Sequence, residues 1–176
     1  MKKRNKERSA WKGRRLDFSE GFTFIELMIV VVIIGVISAM AIPRFGRIMD
    51  SLKLKTSGRE IISALRLARS YAVTQKSQFG VYFDPEINQY VLFKDKSNPG
   101  SLTYDTNDSA MQSQTLPANV DFSYTSFSNN VVIFSSNGSA SSTGSVDLWS
   151  EDYYDHITVD VLASTGRVKM VKMSYY

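Results

Sequence analysis

Hydrophobic rhythm divides the chain before anything else does. Residues 1–21 are polar and basic, residues 22–42 are apolar apart from Glu26, and residues 43–77 place apolar side chains at helical intervals. From Gln78 onward the period shortens to two. The 21 residues from Phe22 to Ile42 would span about 31 Å as a helix at about 1.5 Å per residue, close to the hydrocarbon thickness of a bilayer. The pattern therefore predicts a membrane-crossing helix.

After Pro43, Ile48, Leu52, Leu54, Ile61, Leu65, Ala68 and Ala72 recur at helical spacing, with Arg59, Arg66 and Arg69 mostly between them. One long helix is predicted to continue into this region. Pro43 removes a backbone donor and clashes with the preceding turn, and Gly35 lowers helix propensity, so these two positions are the expected sites of a kink or a loosened stretch. An ordinary bent membrane helix fits them equally well.

The later pattern predicts strands. Phe79-Gly80-Val81-Tyr82-Phe83 and Tyr90-Val91-Leu92-Phe93 flank a turn begun by Pro85 and read as a hairpin. The polar stretch Asp95 to Thr115 reads as a long loop. Further strands are predicted at Val120–Tyr124, Val131–Phe134, Val146–Trp149, Ile157–Leu162 and Val168–Met173, giving an antiparallel meander. The expected fold class is α+β, a long N-terminal helix packed on an antiparallel sheet. The expected division is a leader at 1–21, a transmembrane helix at 22–43, an amphipathic helical half at 44–77 and a β-rich domain at 78–176.

Charge changes the picture at the N-terminus. Lys2, Lys3, Arg4, Lys6, Arg8, Lys12, Arg14 and Arg15 stand against Glu7, Asp17 and Glu20, so this end should stay in the cytoplasm and the remainder be exported. Without these residues the chain keeps 13 basic and 14 acidic side chains out of the original 21 and 17. The high pI belongs to the leader, which removes the case for a globally cationic nucleic-acid binder. Zero cysteines exclude disulfides, thiol chemistry and cysteine metal sites. Arg44, Arg47, Lys53 and Lys55 follow Pro43 and read as a solvated helix face, with lipid headgroups or a neighbour's acids as the alternative.

Two readings of the leader compete. A secretory signal would be cut at the small-residue box Ala39-Met40-Ala41 and release a protein starting near Ile42. The apolar run is longer than a usual signal core, contains Glu26, and leads into a helical pattern that passes the cut. In the other reading the cut falls between Gly21 and Phe22. Gly21-Phe22-Thr23-Phe24-Ile25-Glu26-Leu27 with its apolar run and Pro43 resembles the class III leader junction of type IV pilins and type II secretion pseudopilins. The resemblance implies cleavage after Gly21 by a prepilin peptidase and N-methylation of Phe22. It also implies that Glu26 faces the N-terminal amine of a neighbouring subunit, pairing one buried charge with another during assembly. A lone carboxylate in hydrocarbon costs roughly 2.5–3.5 kcal/mol, so a specific partner is the reason to keep it. Protonation or hydration at the interface is the alternative. The leader is longer than the family's usual one and carries Asp17 and Glu20 near the cut.

A narrower resemblance covers Gly21 to about Met170. Leu65-Arg66-Leu67-Ala68-Arg69-Ser70-Tyr71-Ala72-Val73, Phe134 with Gly138 and Gly144 before Val146-Asp147-Leu148, and Ser164-Thr165-Gly166-Arg167-Val168 resemble the GspH/FimT family. These are the H-type minor pseudopilins of type II secretion and related minor type IV pilins. Tyr71 stands where the family often has an acidic residue. The resemblance implies a structural subunit of a periplasmic pseudopilus that supports protein export, anchored in the inner membrane with its C-terminal domain in the periplasm. Its implied partners are the prepilin peptidase and other pseudopilins or pilins. The alternative is a FimT-like minor pilin that aids pilus assembly or binds DNA for uptake.

No enzymatic site and no cofactor are expected. His156, the single histidine, adjoins Asp155, but any of many serines could complete a triad on paper, so the match carries no information. Asp147, Glu151, Asp152 and Asp155 could offer hard oxygen ligands to calcium, yet they lack a regular ligand spacing and a turn glycine, and a solvated acidic loop is preferred. Gly166-Arg167-Val168-Lys169 places two cations on one side of a strand with Lys172 nearby. Some FimT-like proteins hold DNA with a Gly-Arg-x-Arg element, which makes Arg167 and Lys169 candidate DNA contacts, although lysine lacks arginine's bidentate fork.

Overall fold

The computed structural model describes residues 21–96, 101–105, 107–150 and 155–174, with the backbone alone described at 41–45, 47 and 172–174. One helix, α1, runs from Phe24 to Gln75. Among the described residues eight strands follow: β1 Phe79–Asp84, β2 Gln89–Lys94, β3 Ser109–Thr115, β4 Val120–Thr125, β5 Val131–Phe134, β6 Gly144–Ser150, β7 Asp155–Leu162 and β8 Arg167–Ser174. The α+β class holds, with a helix packed on antiparallel sheets.

The strands form two sheets rather than one meander. Their orders are β3-β2-β1-β5 and β4-β6-β7-β8, antiparallel throughout. A single eight-stranded sheet would be roughly 34 Å wide at about 4.8 Å per strand, far more than a helix about 10 Å across can cover. Two sheets bury their apolar faces against each other and the helix. Leu54, Ile61, Leu65, Ala68 and Ala72 of α1 share one core with Phe79, Val81 and Phe83 of β1, Val146 and Leu148 of β6, and Ile157, Val159 and Val161 of β7. The Phe83 ring meets Phe122 from the other sheet edge-on at 5.8 Å.

The expected loop from Asp95 to Thr115 contains a strand. β3 pairs with β2 along Gln89–Lys94, and its Ser-Ala-Met-Gln-Ser-Gln-Thr sequence leaves most side chains in solvent. An edge strand held by main-chain bonds needs no hydrophobic alternation, which is why periodicity passed over it. The β1–β2 hairpin matches expectation, and Asp84 closes its turn by accepting from the amides of Glu86 and Ile87 at 3.0 and 3.4 Å.

The described chain divides between Met40 and Ala41 into two compact units. In the first unit the chain is helical from Phe24 onward, with every side chain from Phe24 to Met40 exposed. Among the described residues no helix is long and apolar enough to cross a membrane. Described side chains of this stretch end at Met40, while the sequence carries the apolar run on to Ile42.

Candidate functional site

The N-terminal junction is built around the start of α1. Gly21 and Phe22 precede the helix, both exposed, and an added Cβ at Gly21 would meet nothing within 4 Å. Thr23 caps the first turn: its Oγ1 accepts the Glu26 amide at 3.3 Å, and its carbonyl accepts the Leu27 amide at 3.2 Å. Thr23 is thus the N-cap, and Glu26 is the third helical residue, with the acid in the first turn where the helix dipole favours it. The sequence reading of Glu26 rested on membrane cost and on charge pairing with a neighbour's amine and missed Thr23, although Thr-x-x-Glu before an apolar run is a recognisable start signal. Among the described residues the Glu26 carboxylate makes no ion pair.

The family-like positions near the end of α1 converge in space. Arg69 Nε donates to the Gly138 carbonyl at 2.9 Å, fixing the β5–β6 connection to the helix. Gly138 and Gly166 have φ of +84° and +59°. A Cβ at Gly166 would lie 2.2 Å from the Gly138 oxygen and 2.9 Å from Arg69 Nε, so the two turns can pass only as glycines. The Ala140 amide donates to the Ala163 carbonyl at 2.8 Å and completes the join. Tyr71, where an acid was the family expectation, packs its ring on Phe79 at 5.5 Å.

Arg167 and Lys169 open β8 beside this junction, both exposed, while Val168 between them is buried. They line a groove of about 820 Å³ with Ile62, Arg66, Arg69 and Met170. The structure therefore adds two helix arginines to the predicted cation pair. Residues 66 and 167 are a hundred positions apart in the chain, and nothing in either local pattern links them.

Of the remaining sequence candidates, Asp147, Asp155 and His156 are among the described residues. Asp147 sits in β6 opposite Tyr124 and Thr158, and Asp155 begins β7 opposite Ser174. Glu151, Asp152 and the leader up to Glu20 lie outside the described residues. Among the described residues no group of three or more His, Asp or Glu could hold a metal ion. His156 is half-buried in β7 between Trp149 and Met173 of the flanking strands. α1 keeps its helical assignment through Gly35 and Pro43.

Comparison with known proteins agrees with this layout. The model of the prokaryotic N-terminal methylation motif matches residues 19–42. A "Fimbrial protein" of Pseudomonas aeruginosa is 37% identical over 71 residues, covering 40% of this chain, and the match spans about half of that relative's length at 46%. The minor pseudopilin EpsH from the type 2 secretion system of Vibrio cholerae superimposes with a TM-score of 0.53 at 15% identity, over 68% of this chain and 97% of the other. The type IV minor pilin FimU of Pseudomonas aeruginosa does so with a TM-score of 0.54 at 12% identity, over 69% and 90%. These structures share the fold. The model of the family described as type II transport protein GspH matches residues 57–165, more than half of the sequence and the whole of the Arg69–Gly138 contact, and the chain belongs to that family.

Proposed function

We propose that the chain is a minor pseudopilin, a structural subunit of the periplasmic pseudopilus of a type II secretion system that supports protein export. It is no enzyme in this reading. The prepilin peptidase cuts after Gly21 and methylates Phe22, residues 22–43 anchor the subunit in the inner membrane with the N-terminus cytoplasmic, and the domain from residue 44 onward lies in the periplasm. Residues 44–77 form the amphipathic helical half and 78–176 the β-rich part. Gly35 and Pro43 give the helix places to bend when it packs among other subunits.

One observation carries this reading: a helix exposed and apolar all round from Phe24 to Met40, beginning three residues after Gly21 with an acid in its first turn. An all-apolar helix has to be covered, by lipid or by other helices. In the assembled filament Glu26 meets the amine of a neighbour's Phe22. Removing one partner of such a buried pair leaves the other uncompensated at roughly 3–5 kcal/mol.

The cap geometry sharpens the test. Glu26→Gln keeps the side chain's size and polarity but deletes the charge, whereas Glu26→Ala deletes both, and either variant keeps the backbone amide that Thr23 Oγ1 accepts. Both variants are expected in the membrane fraction at wild-type levels and absent from cross-linked filament species. Normal assembly of Glu26→Gln would reduce Glu26 to a first-turn acid and remove charge pairing.

A second reading, a minor type IV pilin, draws on the fimbrial relative and the FimU fold. Disruption of the gene discriminates: loss of a secreted protein supports the pseudopilin, and loss of pilus assembly or DNA uptake supports the pilin, with Arg167 and Lys169 as its candidate DNA contacts.

A further inference from the structure

Among the described strands β8 is the outer member of its sheet, paired through Arg167–Ser174 with β7 on one side. Its other side opens into the groove beside α1. Among the described residues that line the groove, Ile62, Val168 and Met170 are apolar and the charged side chains are all cations: Arg66, Arg69, Arg167 and Lys169. Arg69 is committed to Gly138, and none of Arg66, Arg167 and Lys169 has an ion pair among the described residues. Asp160, the acid opposite Lys169 in the β7 register, lines a separate depression with it rather than this groove.

We propose that this groove binds an acidic, extended polypeptide segment of a partner protein, which adds to β8 as a fifth strand. An exposed edge offers alternating amides and carbonyls, and another polypeptide in β conformation satisfies both sets. A phosphodiester backbone has only acceptors and would leave the carbonyls of β8 unmatched. None of the described residues lining the groove is aromatic, so among them no ring offers the stacking that usually anchors single-stranded nucleic acid. Two copies of β8 are poor partners for each other, since pairing would bring Arg167 and Lys169 of one copy near those of the next; cations on an edge strand discourage such self-association. Carboxylates on alternate residues of the incoming strand meet Arg66, Arg167 and Lys169, and its intervening apolar residues reach Ile62 and Met170. The proposal rests on the groove and stands apart from the choice between pseudopilus and pilus.

The test uses the full chain in detergent and a fluorescent peptide alternating Glu and Val. Saturable binding is expected, with amide-exchange protection along Val168–Val171, and Arg66→Glu with Arg167→Glu is expected to weaken it at least about tenfold. Both positions are exposed, and the milder Arg66→Ala should weaken binding in the same direction. A peptide with Pro replacing every Val keeps the charge and loses the strand donors; it should not compete. Equal binding of the Pro peptide, insensitivity to the charge reversals, or binding of oligo-dT in preference to the Glu-Val peptide would each overturn the proposal.

Discussion

The two halves of α1 are both rich in apolar residues and meet opposite fates. From Phe24 to Met40 the large side chains stay exposed, Ile29 at 55% and Ile33 at 51%, whereas Leu54 is exposed at 1% and Ile61 and Leu65 at 0%. The C-terminal half has a stripe from Leu54 to Ala72 that its own sheets cover, although Ile48, Met49 and Leu52, expected on that stripe or beside it, stay exposed ahead of it. The N-terminal half, apart from Glu26 and Ser38, carries apolar side chains all round rather than on one stripe. One half is covered by folding, and the other is left bare by it.

Substitutions can break that contrast, beginning with the core. Phe134→Ala, in a side chain exposed at 0%, should destabilise the domain by about 3–5 kcal/mol. Val32→Ala, in the bare half, should leave domain unfolding within about 0.5 kcal/mol of wild type. Thermal unfolding of the detergent-solubilised chain, followed by near-ultraviolet dichroism, measures both. A large effect of Val32→Ala would mean that the apolar half contributes to the domain after all.

The glycines give a smaller contrast of the same kind. Gly166→Ala forces a side chain at φ +59° onto the Gly138 oxygen and should cost about 1–3 kcal/mol. Gly35→Ala meets nothing within 4 Å and should not lower the domain's melting temperature. Equal effects at the two positions would remove the tight crossing of the β5–β6 and β7–β8 turns as a source of stability.

How much of this was legible in the sequence depended on the kind of signal. The helix with its two characters, the β1–β2 hairpin and the later strands followed from periodicity, because each is a local pattern of burial. β3 escaped because a polar edge strand is chosen by its neighbour's free backbone. The two-sheet split escaped because β5 returns to β1 across β2, β3 and β4, a pairing no local pattern encodes. Arg69, Gly138 and Gly166 were visible only as scattered points of family likeness. Their meeting is a product of the tertiary fold, as is the addition of Arg66 to the cations at Arg167 and Lys169. Thr23 was readable and was missed, since the cost of a buried charge drew the reading of Glu26 away from its place in the helix.

The smallest expected effect concerns pH. Burial, with a further push from the Glu60 carboxylate, raises the Tyr90 phenol from 10.0 to about 12. The folded state holds that proton more tightly than the unfolded chain does. The stability it contributes is therefore intact below pH 10 and is lost as pH rises through about 12. Alkaline titration of domain unfolding should show this loss, and Tyr90→Phe should flatten it; an unchanged profile in the variant would assign the loss to other groups.

The most direct test of the contrast between the halves is the N-terminus of the protein recovered from the inner membrane. Sequencing and intact mass should give N-methylated Phe22, a subunit that keeps its bare helix for assembly. A mature end at Ile42 would mean that the apolar half is a discarded signal, and the account of Glu26 and Phe22 would be wrong.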